Sequence, residues 1–304
     1  MSEKRNIAFF TNDVETTSIV NGGLRTETGV KVWKEGMPRL LDLYAKYNVK
    51  STFFFVADFA KDAPEIVKMI QPFGHEVACH GLTHDHKQAF DLMNFDEQKH
   101  HLREAKKILE DISGEEVLTF RAPALRVNEF TAKALIEAGF KIDSSVAPQR
   151  IDMFMSLGSK KKLAWLKAPR VPYYVSENNL ARKGNTQLLE VPVSSFAFPY
   201  IGTFMRISPQ LNKMTRHFLY QETKNTLKPI NFLIHPNELI EEDSLHLKTE
   251  KRASNFISYL LSDLLRKKLK QRNLGISAQN LFEEEIKFWE RKNYNFTTIK
   301  KAYL

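Results

Sequence analysis

Short apolar runs alternate with amphipathic stretches along most of the chain. Such runs occur at 7–10, 51–56 and 75–79, and the first and third end in polar residues, as buried strands do where they leave a sheet. Residues 32–44 place apolar side chains at nearly helical spacing, and residues 95–112 form a charged amphipathic pattern. This alternation predicts an α/β fold with a parallel sheet. The same patterns predict further helices over 62–71, 128–138, 252–272 and 278–291, and further strands over 117–120, 140–142, 188–192, 232–235 and 294–299.

Ionisable residues collect where these predicted strands end. Asp13 and Glu15 follow the first strand, His80 and His84 the third, and Arg121 a later one. The carboxyl ends of parallel strands share one edge, and parallel α/β folds build their active sites at that edge. The sequence therefore predicts a functional site there.

The alternation loosens over residues 149–186, which contain Pro169, Pro172 and a run of three lysines. We interpret this segment as an insertion or long loop that borders the site. No repeat, low-complexity stretch or flexible linker interrupts the rest of the chain. We therefore expect a single domain over residues 1–304.

The composition is that of a globular protein. The 304 residues are 42% apolar and 27% charged, which excludes a wholly disordered chain and provides for a full core. Cys79 is the one cysteine, so no disulfide forms within the chain. The first apolar run is too short for a signal peptide, and no stretch reaches the roughly 18 apolar residues of a membrane span. We expect a cytoplasmic location.

The net charge of +9 raises the question of an anionic partner. The basic residues are spread along the chain, which favours solvated helix and loop surface. Attraction to phosphate groups or to an anionic membrane surface is the alternative. Since no recognised nucleic-acid motif accompanies the basic residues, we expect no nucleic-acid partner.

The sharpest chemical signal is HGLTH at 80–84. On a helical turn, histidines four apart share a face, so both imidazoles can reach one metal ion. Two histidines and one carboxylate leave coordination positions open for water, as in catalytic metal sites. A structural histidine pair is the alternative, and the carboxylates at the end of the first strand weaken it.

Three further positions carry candidate chemistry. In an extended strand Asp13 and Glu15 face the same side, so one could bind metal while the other accepts a proton from water; turn carboxylates are the alternative. Arg121 could hold a carboxylate in its charged form, or be a surface arginine. His235 ends another apolar run and is a candidate general acid, or else a capping residue.

Four short motifs occur in the order of a known family, the polysaccharide deacetylases (the NodB-homology domain of carbohydrate esterase family 4). The segments that resemble this family are TNDVE at 11–15, HGLTH at 80–84, FRAPA at 120–124 and LIHP at 233–236, with weaker likeness at 139–145 and 190–193. The resemblance extends over about residues 6–300. It implies a distorted (β/α) barrel of about seven parallel strands. It also implies one divalent metal ion, usually Zn²⁺, and hydrolysis of an N-acetyl group, or sometimes an O-acetyl or N-formyl group.

The resemblance also assigns roles by position. It implies metal ligands at Glu15, His80 and His84, a base at Asp13 with Arg121 as its partner, and an acid at His235. Asp143 and Glu190 are both candidates to orient His235, and Pro123 and Glu190 are candidates for substrate binding.

Two positions depart from the family pattern. A valine separates Asp13 from Glu15, where adjacent aspartates are commoner, so which of the two binds metal stays open. Leu125 stands where the third motif usually continues to a glycine, which could reshape the substrate groove.

The function implied is deacetylation of an acetylated amino sugar or glycan precursor in surface polysaccharide biosynthesis. The positive charge suits a phosphate-bearing or membrane-bound precursor. One alternative is hydrolysis of a small amide or cyclic amide, which Glu15 in place of the usual aspartate favours. The other is a sugar-binding protein without catalysis, against which every catalytic residue type is present.

Overall fold

The computed structural model describes residues 6–148, 165–226, 228–242 and 266–304. Its centre is a sheet whose strands follow the apolar runs of the sequence. The strands are β1 (Ile7–Val14), β2 (Thr52–Phe55), β3 (Glu76–Cys79), β4 (Thr119–Phe120), β5 (Ile142–Asp143), β6 (Tyr173–Ser176), β7 (Asn179–Lys183), β8 (Leu189–Glu190), β9 (Ser195–Phe196), β10 (Phe198–Pro199), β11 (Ile230–Ile234) and β12 (Asn295–Phe296).

Helices flank this sheet in the described residues. They are α1 (Thr26–Lys31), α2 (Met37–Lys46), α3 (Ala57–Asp62), α4 (Glu65–Lys68), α5 (Phe95–Ser113), α6 (Thr131–Glu137), α7 (Gly202–Ile207), α8 (Pro209–Thr223), α9 (Arg266–Lys270), α10 (Ile276–Arg291) and α11 (Ile299–Tyr303). Among the helices of the described ranges, none combines the length and the apolar character that crossing a bilayer requires.

The main sheet has the order β11-β1-β2-β3-β4-β5-β8, and all neighbours in this row run parallel. β12 pairs with β1 in parallel, and the β6–β7 hairpin adds to β8 in antiparallel. The sheet curls until its ends approach, where Ser194 N donates to Asn231 O at 2.9 Å. The predicted distorted (β/α) barrel is confirmed.

The register of strand pairing determines at what height along the barrel the first residues after each strand lie. Glu15, His80 and Arg121 each follow the last residue of their strand, so they emerge together at the carboxyl edge. The residues that pair directly across the four neighbouring strands below them are Val14, Phe55, Cys79 and Phe120.

Side-chain alternation along the strands divides the core into two layers. The larger layer packs between the sheet and the helices. The smaller layer fills the inside of the barrel, and Ile299 at the start of α11 belongs to it. The other buried members of the inner layer are Phe9, Phe54, Ala78, Ile142 and Val191.

Several predicted elements differ from the structure. Of the predicted helix over 62–71, α4 forms only Glu65–Lys68, because α3 ends at Asp62 and Pro64 lies at the N-cap of α4. The predicted strand over 294–299 is only β12, and the chain then turns into α11. Within the predicted insertion, residues 149–164 lie outside the described part, and the β6–β7 hairpin follows them.

The remaining predictions divide as follows. The helix predicted over 278–291 is confirmed by α10. Of the helix predicted over 252–272, residues 252–265 lie outside the described part and α9 lies in the rest. Helices α7 and α8 were not predicted. The single domain over 1–304 stays a prediction.

Candidate active site

The predicted metal ligands meet on loops at the carboxyl edge of the sheet. His80 and His84 lie in an irregular loop after β3, so the predicted helical turn is wrong. Gly81 turns this loop with a φ of +79°, a conformation that costs glycine little. The turn brings the two imidazole rings to a centroid distance of 5.5 Å.

His80 is oriented as a metal ligand. Its Nδ1 lies 2.9 Å from the backbone oxygen of Arg121, which fixes the proton on Nδ1. Its Nε2 is buried and has no hydrogen-bond partner among the described residues. An unpartnered buried nitrogen costs free energy, so this atom is suited to binding an ion.

Glu15 and His84 complete the cluster. Glu15 Oε2 lies 2.5 Å from His84 Nε2, and the ligand atoms of Glu15, His80 and His84 all lie within 4.8 Å of one another. Burial alone would raise the pKa of Glu15, but His84 lowers it to about 2. One carboxylate and two imidazoles are the donor set of a catalytic zinc site, so the residues present fit a divalent ion.

Asp13 is fixed by an arginine rather than by the cluster. Its Oδ1 accepts a hydrogen bond from Arg121 Nη1 at 2.8 Å. The fully buried guanidinium also donates to Ser144 O and Ser144 Oγ and lies 4.1 Å above the Phe54 ring. Burial raises the pKa of Asp13, but Arg121, with smaller effects from His80 and His235, holds it below its ordinary value.

The second oxygen of Asp13 faces the cluster. Asp13 Oδ2 lies 3.7 Å from His80 Nε2 and 3.8 Å from His235 Nε2. This oxygen can accept a proton from a water molecule between the three side chains. The structure therefore separates the two acids of the first motif, since Glu15 lies with His80 and His84 whereas Asp13 is held by Arg121.

His235 is held by a residue that the sequence analysis missed. Its Nδ1 lies 2.9 Å from Glu238 Oε1, and Arg206 Nε donates to Glu238 Oε2 at 2.5 Å. Burial lowers the pKa of His235, but the hydrogen bond with Glu238 and the nearby Glu15 raise it to about 9. Proline at the first position and glutamate at the third position after His235 are typical of a helix start, and this signal could have identified Glu238.

Asp143 and Glu190 are therefore not the partners of His235. Both are fully buried beneath the site, and burial raises the pKa of each. Ser145 Oγ donates to Asp143 Oδ1 at 2.6 Å, and Val146 N donates to Glu190 Oε1 at 3.0 Å. The pair thus supports the loop after β5, whose Ser144 holds Arg121. A catalytic role of Asp143 and a substrate contact of Glu190 stay predictions.

The FRAPA segment at 120–124 packs against the HGLTH segment at 80–84. Pro123 is buried, and a Cβ added to Gly81 would lie 3.2 Å from its ring, so the two loops approach closely. Leu125 has a φ of +53°, a left-handed conformation that disfavours L residues other than glycine. The departure from the usual glycine therefore carries backbone strain. A substrate contact of Pro123 stays a prediction.

Comparisons with known proteins agree with this geometry. Residues 27–142 match the family model described as polysaccharide deacetylase. This range contains His80, His84, Arg121 and Pro123, whereas Asp13, Glu15, Asp143, Glu190 and His235 lie outside it. A peptidoglycan deacetylase of Helicobacter pylori is 30% identical over 118 residues, which cover 39% of each chain. The similarity thus spans about two fifths of that relative.

Solved structures show the same fold over nearly the whole chain. One, attributed to a polysaccharide deacetylase of Mycobacterium smegmatis, has a TM-score of 0.59 at 19% identity and covers 95% of this chain and 93% of the other. An allantoinase has a TM-score of 0.58 at 16% identity, covering 99% and 90%. With the motif residues brought together at one edge of this barrel, the chain is similar to the polysaccharide deacetylase family over residues 27–142 and has the fold of the solved structure attributed to that family.

Proposed function

We propose that the protein is a metal-dependent hydrolase that removes the N-acetyl group from an amino sugar of a glycan or glycan precursor. The observation that carries the proposal is the position of the Asp13 carboxylate. One of its oxygens is held by Arg121, while the other lies within 3.8 Å of both His80 and His235. Metal ligands, a base and an acid thus surround one small space.

In this proposal Glu15, His80 and His84 hold the ion. The chemistry that a divalent ion supplies at such a site is polarisation of a carbonyl and a lowered pKa of water. Zinc is the proposed metal, because one carboxylate and two imidazoles are ligands that zinc accepts readily.

Asp13 acts as the base. The lowered pKa keeps its carboxylate ionised at neutral pH, and the bond to Arg121 leaves Oδ2 to accept the proton of the attacking water. Since the guanidinium is itself held by Ser144, the direction of the carboxylate is fixed before substrate binds.

His235 acts as the acid. The pKa of about 9 means that its imidazole carries a proton at neutral pH, and Nε2 faces the site because Nδ1 is bound to Glu238. An amine leaves an amide only when it is protonated, so a general acid at this position completes the hydrolysis. Acetate and a free amino sugar are the products.

Two observations support the proposed substrate class, namely the activities named for curated relatives and the net charge of the chain. The curated relatives include peptidoglycan deacetylases and a chitooligosaccharide deacetylase of Sinorhizobium fredii. The net charge of +9 also suits a phosphate-bearing or membrane-bound precursor. A cytoplasmic location and a role in surface polysaccharide biosynthesis stay predictions.

The test is bound metal and acetate release, measured together. We expect about one metal ion per wild-type chain and acetate release from N-acetylated sugars, with both lost in H80A/H84A. The matched control is His217→Ala, which changes an exposed histidine on α8. Metal binding without acetate release from any acetylated sugar, but with hydrolysis of a cyclic amide, would favour the small-amide alternative instead.

A further inference from the structure

A pocket of about 440 Å³ lies beside the metal cluster and has no part in the chemistry above. One of its walls is the metal loop itself, through Thr83 and His84. Thr16, the residue after Glu15, lines it as well. The pocket is therefore continuous with the candidate active site, and its size is that of an ordinary small-molecule site.

A break in helical geometry places Trp33 in this pocket. Between α1 and α2, residues Val32–Gly36 form a π turn, whose extra residue rotates the following side chains by about 100°. The turn lets Trp33 line the pocket while Gly36 packs on the loop that carries His235. A Cβ on Gly36 would lie 2.4 Å from Pro236 O, so this approach requires glycine. π turns are rare and often occur at functional sites.

The pocket wall combines apolar and acidic groups. Leu24 and Val30 are 46% and 44% exposed, and Phe59 lines the pocket with them. Asp58 and Asp62 line the side formed by α3. An aromatic face with a few polar groups nearby suits a sugar ring, which has apolar faces and a rim of hydroxyl groups. An acyl chain would leave the carboxylates without partners.

The charged groups that line the pocket limit which ligands it can bind. His84, a proposed ligand of the divalent ion, lines one wall of the pocket. Away from that wall, the charged lining groups are two carboxylates, Asp58 and Asp62, and one guanidinium, Arg25, which already lies 3.4 Å from Glu27. A phosphate that sits against α3 would therefore face more negative than positive charge. The occupant favoured by these groups is uncharged.

We propose that this Trp33 pocket is a subsite for an uncharged pyranose unit next to the amino sugar that is deacetylated. The proposal rests on the proposed deacetylase function for the identity of that neighbour. It implies a substrate of at least two linked sugars, and it argues against a single nucleotide-linked sugar as the preferred substrate.

The first experiment compares substrate length. Acetate release is measured for N-acetylglucosamine, its β-1,4-linked tetramer and uridine-diphosphate-linked N-acetylglucosamine, with wild type, W33A and W33F. We expect the ratio of kcat/KM for tetramer to that for monomer to fall about tenfold in W33A and much less in W33F, which keeps an aromatic face. The control is Phe73→Ala, which removes a 44%-exposed aromatic ring before β3, and it should leave the ratio unchanged.

The second experiment needs no catalysis. Cellotetraose, which has pyranose rings but no acetyl group, is titrated into wild type and W33A by calorimetry. We expect binding to wild type that W33A weakens about tenfold. If no acetylated sugar is hydrolysed but this difference remains, the deacetylase function is wrong and the sugar pocket stands.

Two results would overturn the subsite. One is an unchanged tetramer-to-monomer ratio of kcat/KM in W33A, and the other is equal binding of cellotetraose by wild type and W33A. The deacetylase proposal survives the first result, because wild type would still release acetate.

Discussion

The two ends of the barrel interior each hold buried ionisable groups, but their hydrogen bonding differs. At the amino end, both oxygens of Glu76 are satisfied. Oε1 accepts from Thr119 Oγ1 at 2.5 Å, and Oε2 accepts from Thr52 Oγ1 at 2.7 Å and from Lys300 N at 2.9 Å. The start of α11 thus closes this end over the carboxylate.

At the carboxyl end the corresponding groups are only partly satisfied. His80 Nε2 is buried without a hydrogen-bond partner among the described residues, and Asp13 Oδ2 lies 3.7 Å from it. A buried polar atom costs free energy unless it is paired. The comparison therefore separates a carboxylate that stabilises the fold from a cluster that is arranged to bind something else.

The largest expected effect is at the carboxyl end. His80→Ala removes a proposed metal ligand, and acetate release should fall by about 10²-fold or more, as when an electrostatic stabiliser is removed. The variant also loses the hydrogen bond from His80 Nδ1 to the Arg121 backbone oxygen, so the free energy of unfolding of the metal-free protein should fall by about 1–3 kcal/mol. Kinetics and urea denaturation measure both. Full activity in this variant would contradict the assignment of the metal cluster.

The next effect concerns proton transfer at the same end. In Glu238→Gln the pKa of His235 should fall, because its carboxylate partner is lost. The acid form is required, so the alkaline limb of the kcat profile should move to lower pH. Activity above the new pKa should fall about tenfold per pH unit.

The control for Glu238→Gln is Glu285→Gln, which removes the carboxylate of another buried pair, 2.9 Å from Arg216. This change should alter stability without moving the pH profile. A shift of equal size in both variants would show that His235 is not tuned by Glu238.

A smaller effect is expected at the amino end. Glu76→Ala leaves two buried hydroxyls and a backbone N–H without their acceptor, which should lower the free energy of unfolding by about 2–4 kcal/mol. Activity per folded molecule should be unchanged. Urea denaturation with activity measured on the folded fraction tests this, and lost activity at unchanged stability would remove the distinction between the two ends.

The smallest effect links both ends to pH. His75 Nδ1 accepts from Ser51 N at the amino end, and His101 Nε2 accepts from Leu82 N near the metal loop. Burial lowers the pKa of each from 6.5 to about 4. The unfolded chain therefore binds more protons between these values. Stability should be complete above pH 6.5 and decline towards pH 4, on the order of 1–3 kcal/mol per histidine.

Urea midpoints between pH 7 and 4 measure this decline. His75→Gln keeps a side chain that can accept a hydrogen bond but does not titrate, so its curve should be flatter than that of wild type. A curve parallel to that of wild type would show that His75 is not the group responsible.

Local patterns in the sequence predicted the strands and the residues that end them. The apolar run before His80 gave a strand that ends as expected, because buried parallel strands require continuous apolar residues. The first strand runs beyond its apolar residues, through Asn12 and Asp13 to Val14, so the prediction that Asp13 follows it is wrong. The spacing of His80 and His84 predicted the pair correctly but its geometry wrongly. A left-handed Gly81, rather than a helix, brings the rings together.

Other features depend on contacts that spacing does not contain. Glu238, the partner of His235, is only three residues away, but the Arg206 that fixes it is distant in sequence. The β6–β7 hairpin was read as loop, although Ser176 pairs with Asn179 across a two-residue turn. The π turn before Gly36 depends on the close contact with Pro236, which no periodicity reveals.

Arg121 joins two tasks in one residue. Its backbone oxygen sets the orientation of His80, and its side chain sets the position of Asp13. The distance between His80, a proposed metal ligand, and Asp13, the proposed base, is therefore set by one residue at the end of β4. A small displacement of β4 would move both side chains together. The surrounding loops can vary in length and sequence while this distance stays constant. A barrel built in this way can change which substrates fit its loops without changing the separation of the proposed metal ligand from the proposed base.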